Sequence, residues 1–329
     1  MQKINSYQKS FLDKFNKLIK KINIEPTALN YFTLGVDVPG INYIKFKIYG
    51  FKYFKEFLIN YLKFFIVIFS RSNIKVYNHL QSNQKNKLKK IIVSWSYKND
   101  FNKNGQYRDK YFNITSNNKG YIWFSIYMDK ELPKKIKANI ILLKQENSNI
   151  ALSLLNFLDY LMTTLLKSNF NVCKVYREMS YLSFFSKVFL ESFKKNIKTR
   201  EIDKVYMAYE AQPYQKNLIK YLKQINKKID IIGYDHTAPQ PLPINYYYDR
   251  FSPDKLLICS KNKFNFNHKF LSWPKKKMKI IPSIRFFNLN KKNFSNKIFL
   301  PYMLKDYSLV KNSINDLINK NKINDITKF

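Results

Sequence analysis

The chain has 329 residues, 45% of them hydrophobic, with 59 lysines and arginines against 22 carboxylates for a net charge of +37. That hydrophobic share excludes wholesale disorder and suffices for two cored domains, or for one domain and part of a second. The six glycines, Gly35, Gly40, Gly50, Gly105, Gly120 and Gly233, complete neither a GxGxxG fingerprint nor a P-loop, which argues against a nucleotide held by either device.

In chain order, residues 1–88 are expected to be mostly helical. Met1 to Lys21 forms a charged amphipathic helix without the apolar segment of a signal peptide. Phe51 to Phe69 is the greasiest stretch, yet it carries Lys52, Lys55, Glu56 and Lys63 and falls short of the ~20 apolar residues of a spanning helix. It is expected as a buried core helix, or as one lying in a membrane interface. Strands are predicted at Ile91–Trp95, Tyr121–Tyr127 and Ala138–Leu143, the first followed by a loop from Ser96 to Phe112. Helices are predicted at Ile150–Lys167 and Tyr176–Lys195. A strand at Val205–Tyr209, a helix at Tyr214–Asn226 and a strand at Ile229–Tyr234 then make a βαβ unit. Short strands at Lys255–Cys259 and Lys279–Ile281 follow, then a linker from Pro282 to Asn296, a strand at Lys297–Leu300 and a helix at Asp306–Asn319. This alternation predicts an α/β, doubly wound, Rossmann-like sheet. The expected organisation is a helical region 1–88, an α/β domain 89–285, and a linker with the start of a second Rossmann-like domain over 286–329.

Charge admits three readings. Arginine occurs only at positions 71, 108, 177, 200, 250 and 285, which leaves 53 lysines spread along the chain beside Asn, Ile, Phe and Tyr. Specific recognition of bases and phosphates favours arginine's rigid fork, so a solvated coat is expected rather than a specific nucleic-acid footprint. A non-catalytic binder of nucleic acid or of an anionic membrane surface remains the alternative. Cys173 and Cys259 form neither a CxxC pair nor a disulfide framework, which suits a reducing cytoplasm.

The chemistry concentrates in the βαβ unit. Parallel strands carry their C-terminal ends to one edge, so Glu210 after the first and Asp235 and His236 after the second converge in the crevice where open α/β sheets bind ligands. Glu210 is either a helix-capping carboxylate ahead of Pro213 or a general base, with Gln212 orienting a polyol. His236 and Thr237 open a loop stiffened by Pro239, Pro241 and Pro243, a wall suited to a binding site, although a surface histidine contacting nothing would fit the same loop. No second His or Cys stands at ligand spacing, so no zinc site is expected, nor any other cofactor. The Ser96–Phe112 loop sets Trp95 beside Asp100, Tyr107, Arg108, Asp109 and Tyr111, residues suited to stacking on and hydrogen bonding to a sugar; an ordinary ordered loop would contain the same set. In Tyr246-Tyr-Tyr-Asp-Arg250, Arg250 is a candidate anion contact, or one half of a surface pair with Asp249.

Glu210, Gln212 and Tyr214, then Gly233, His236 and Thr237 ahead of the proline loop, then Tyr247 and Arg250, together resemble bacterial surface-carbohydrate biosynthesis proteins of the GT-B glycosyltransferase type. The strand with Ser94 and Trp95 and the loop with Asp100, Gly105, Tyr107, Asp109, Tyr111 and Phe112 resemble their acceptor-side half, and the likeness covers roughly residues 90–300. It implies a cytoplasmic enzyme, or one peripheral at the inner membrane, that moves a sugar from a nucleotide-sugar donor to a hydroxyl of a glycan or lipid-linked glycan. The products would be surface polysaccharides such as capsule or lipopolysaccharide. Glu210 and His236 would be catalytic, with either as the base. Gln212, Asp235, Thr237, Arg250, Trp95 and Asp109 would bind substrate. Two departures stand out. Gln215 replaces the carboxylate expected after Tyr214, and only the opening of a donor-binding domain is expected within 286–329.

Overall fold

The computed structural model describes chiefly residues 73–80, 89–118, 120–146, 150–167, 181–236 and 244–284. The chain divides into two compact units, residues 1–287 and 288–329. Every element below belongs to the first. The predicted linker is described only as far as residue 284, and the strand at Lys297–Leu300, the helix at Asp306–Asn319 and the stretch 52–69 lie outside the described residues.

Ten strands are found among the described residues: β1 Ile74–Asn78, β2 Lys89–Ser96, β3 Arg108–Asp109, β4 Ile114–Thr115, β5 Tyr121–Tyr127, β6 Ile140–Gln145, β7 Ile202–Ala208, β8 Asp230–Asp235, β9 Lys255–Ile258 and β10 Met278–Ile280. The helices are α1 Ile150–Lys167, α2 Tyr181–Asn196, α3 Pro213–Ile225 and α4 Lys261–Phe270. Eight strands form one sheet in the order β1-β6-β5-β2-β7-β8-β9-β10; β3 and β4 make a separate hairpin. All neighbours in the large sheet are parallel except β1, which runs antiparallel to β6. The chain therefore winds outward from β2 through β5 to β6, returns, and winds the other way from β7 to β10. This is a doubly wound, Rossmann-like α/β sheet, and its winding reverses between β2 and β7.

Burial on both faces explains the near-continuous apolar runs of the central strands. Period-two alternation divides their side chains. Ile91, Val93, Phe124, Ile141, Val205 and Met207 point to one core, beneath Phe189 and Phe193 of α2 and Leu218, Ile219 and Leu222 of α3. Ile92, Trp123, Ile140 and Leu142 point to the other, which is roofed by Phe101, Tyr107, Tyr111 and Phe112 from the β2–β5 connection. Among the described residues this second roof contains no helix longer than a 3-10 turn at Lys98–Asp100. It is held instead by the β3–β4 hairpin and by Gly105, whose φ of +84° brings its backbone against Lys135, the carbonyl carbon lying 2.9 Å from where a Cβ would sit.

Two elements lie beyond what the sequence pattern anticipates. Within residues 1–88, expected to be mostly helical and largely outside the described residues, Ile74–Asn78 supplies the antiparallel edge strand that covers β6. The sequence pattern also passes over α4, because Lys-Asn-Lys-Phe-Asn-Phe lacks a clear apolar period. There Ser260 caps the helix by accepting from the Lys263 N–H, and buried Phe266 seats it on the first core.

Gly233 is explained by packing rather than by backbone conformation. A Cβ there would lie 3.0 Å from Pro253 Cγ and 3.1 Å from the Tyr209 ring base. Gly233→Ala is expected to cost about 1–3 kcal/mol through overpacking, measured by urea unfolding; an unchanged midpoint would refute this account.

Candidate active site

The reversal of winding leaves a crevice at the C-terminal edge of β2, β5, β6 and β7. It encloses about 860 Å³ and is walled by Trp95, Tyr97, Tyr111, Tyr181, Phe185 and Tyr214, with Asp129, Glu146, Glu210 and Gln212 among its polar groups. In a chain with 59 cations, Lys130 is the one cation among the described lining residues. Glu146 is already engaged by Lys144 Nζ and by the Tyr77 hydroxyl, each at 2.7 Å.

Glu210 follows β7 on a tight elbow. Ala211 takes the left-handed conformation at φ +54° with no accessible surface, and Gln212 and Pro213 then start α3. Gln215, also without accessible surface, staples this elbow. Its Oε1 accepts from the Glu210 and Gln212 N–H groups, both at 3.0 Å, while its Nε2 donates to the Ala208 carbonyl at 2.7 Å. A carboxylate could not make that last bond, so glutamine has a structural reason at a position where the resemblance anticipates an acid. Glu210 thus leads the helix without capping it; the amide of Gln215 takes that part.

His236, one residue past β8, lies with Nε2 3.4 Å from Glu210 Oε1; its side chain is 6% exposed and that of Glu210 29%. Aromatic rings enclose the imidazole. Tyr111 meets it edge-on at 4.5 Å, Trp95 lies 5.8 Å away and Tyr234 6.2 Å. Trp95 also meets Tyr111 at 5.7 Å and Tyr214 at 6.4 Å. The Trp95 loop and the βαβ unit, separated by about a hundred residues of sequence, therefore build one site. Gln212 Nε2 reaches Glu210 Oε2 at 3.4 Å.

Burial raises the Glu210 carboxyl above its ordinary range. The Gln212 hydrogen bond opposes that shift, the Asp235 charge adds to it, and the Lys263 ammonium opposes it. A carboxylate of raised basicity, pressed against an imidazole and open to a crevice, can take a proton from a bound hydroxyl.

Other candidate residues have different places. Asp235 is 1% exposed, its Oδ1 2.6 Å from Lys263 Nζ and 3.0 Å from the Tyr246 hydroxyl, so it holds the frame rather than a substrate. The Tyr246 hydroxyl also lies 2.7 Å from the Tyr209 carbonyl, and Asn245 Nδ2 donates to the Glu210 carbonyl at 2.7 Å. Asp109 is fully buried. It accepts from Ser94 Oγ at 2.6 Å and from the N–H groups of Tyr111 and Phe112, fixing the loop that delivers Tyr111. Arg250 is exposed, its guanidinium 4.7 Å from the Phe251 ring, in a stretch tied along α3 by Lys216–Asp249 and Lys223–Ser252 bonds. That stretch descends to the start of β9, at the opposite edge of the sheet from Glu210. Thr237 and the proline loop lie outside the described residues. Lys263 and Asn245 had no signal of their own, being one lysine among 53 and one amide in an Asn-rich chain, and Gln215 stood out only as a departure from the resemblance.

Because the folded Glu210 carboxyl titrates above its unfolded value, its ionisation costs stability that is intact below the unfolded pKa and lost as pH rises through the folded one. Glu210→Gln is expected to raise Tm at neutral pH, with the gain vanishing towards pH ~4; a gain independent of pH would reject this origin. Lys263→Met strands a buried carboxylate and is expected to cost about 3–5 kcal/mol, with Asp235→Leu added to it restoring much of the loss in chemical denaturation. No protein-family model and no curated protein matches this chain, so its function is argued from the geometry of the crevice.

Proposed function

We propose that the described unit is the acceptor-side half of a GT-B-like glycosyltransferase acting on a surface polysaccharide or lipid-linked glycan. The observation that carries this reading is Glu210 lining a crevice walled by aromatic rings and carboxylates, with His236 against it at 3.4 Å. Rings that stack on apolar sugar faces and carboxylates that accept from hydroxyls suit a neutral polyol. They do not suit a polyphosphate, and still less a nucleic acid, which would need cations along the same walls.

In the reaction, the acceptor hydroxyl lies against Glu210, and Trp95 and Tyr111 present their rings to its sugar. Glu210 takes the hydroxyl proton as the oxygen bonds to the anomeric carbon of the donor. The bond from that carbon to the nucleotide phosphate breaks, and the phosphate leaves with the electron pair. His236, held by its aromatic cage, fixes the Glu210 rotamer and faces the developing charge. Gln212 fixes the second carboxylate oxygen. The donor phosphates require cationic or helix-dipole partners, and among the described lining residues Lys130 is the one cation.

The test is sugar transfer from a panel of nucleotide sugars, UDP- and CMP-linked ones included, to glycan and lipid-linked acceptors. Glu210→Gln is expected to lower turnover by roughly 10²–10⁴-fold while glycan-induced thermal stabilisation persists. The acid limb of the pH–rate profile should lie above the ordinary carboxylate range, since the folded Glu210 carboxyl is raised. A panel without any transfer or thermal shift, or a Glu210→Gln variant of full activity, would overturn the assignment.

A further inference from the structure

Helix α1 is apolar around most of its circumference. Its inner side packs Phe157, Tyr160 and Leu161 against Phe184 and Val188 of α2 and Ile74 of β1. At roughly 100° per residue, Leu154, Leu158, Met162, Leu155 and Leu166 fall on one outward arc of about 120°. These five are 43%, 45%, 53%, 64% and 60% exposed, and Phe170, beyond the helix end, is 64% exposed. Scattered surface leucines need no explanation, but a continuous apolar arc marks a contact surface.

Charge selects the occupant. The single carboxylate of α1, Asp159, is paired with Lys187 of α2 at 3.0 Å. Residues 150–201 contain eight lysines and arginines against four carboxylates, within a chain of net charge +37. No helix among the described residues is long and apolar enough to cross a membrane. We propose that the outward face of α1 docks on an anionic lipid surface and lies along it, with Leu155, Met162 and Leu166 entering the acyl boundary and cations of this lysine-rich chain meeting the headgroups. Lysine suits this role, because a diffuse surface charge asks for point cations rather than for a bidentate fork. Tyr181 and Phe185 of α2 line the crevice, and Tyr181 also packs in the α1–α2 contact, so docking through α1 sets the crevice mouth near the headgroups. The docking itself does not depend on the reaction proposed above.

The full chain is tested by co-sedimentation with phosphatidylcholine vesicles, alone or with roughly a third phosphatidylglycerol. Binding is expected to the anionic vesicles, and Leu155→Gln/Met162→Gln is expected to weaken it at least tenfold with charge and Tm unchanged. A second variant, Leu155→Trp, is expected to shift its emission to the blue only when anionic vesicles are added, and to be quenched by brominated acyl chains. Equal binding by the double variant would assign attraction to the lysine coat alone and overturn the docking face. So would absence of binding, a lowered Tm of the double variant, or an emission of the Leu155→Trp variant already blue without lipid, which would show this face covered by the chain itself or by a second copy.

Discussion

The reversal of winding between β2 and β7 is the constraint from which the rest follows. Every connection in a parallel sheet must cross over, and the crossovers diverge where the direction changes, so among the described residues the strand ends open into a crevice at that point. The ends of β2 and β7 deliver Trp95 and Glu210 to the two lips of the resulting gap. The neighbouring strand β8 delivers His236 one strand spacing away. Nothing else in the molecule is required to bring a carboxylate, an imidazole and an indole together.

Holding them there demands buried polar groups, and the fold satisfies these in two clusters. Lys263, Asp235 and Tyr246 join α4, β8 and the turn at Ile244–Tyr246, and through the Tyr209 carbonyl they reach β7. Ser94, Asp109 and the backbone of Tyr111 and Phe112 join β2 to its roof. Charges removed from water in this way add little net stability, while each partner becomes costly to lose alone, so such clusters specify geometry more than they strengthen the fold. Asp109 shows the strain of the arrangement, since burial raises its carboxyl in spite of the hydrogen bonds from Ser94 and the backbone.

Much of this was legible in the sequence, for identifiable reasons. The unit β7–α3–β8 announces itself by apolar periodicity, Pro213 and matched lengths, and right-handed crossover then forces Glu210 and His236 to one edge. The placement of Trp95 and Tyr111 against His236 depends on strand order, which no local pattern carries. Asp109 and Asp235 look like substrate ligands in sequence because a carboxylate beside aromatics reads alike whether it faces solvent, buried backbone N–H groups or a buried lysine. Lys263 is hidden twice over, by the abundance of lysine and by the weak periodicity of α4. The edge strand β1 escapes because a short alternating segment beside a polar stretch gains its identity only from pairing with β6.

The Gln215 staple has a consequence for how such a crevice can diversify. Its amide binds the carbonyl of Ala208 and the N–H groups of Glu210 and Gln212, so strand, elbow and helix move as one body. The wall bearing Glu210 is thereby closed to gradual remodelling, because any shift of one part breaks bonds in all three. The facing wall, built from Tyr97, Tyr111 and the Met128–Lys130 segment, stands on loops whose lengths and side chains can change without disturbing the sheet. On the proposed reading chemistry and selectivity fall on different walls, and new ligands would be acquired by editing the loops while Glu210 stays fixed.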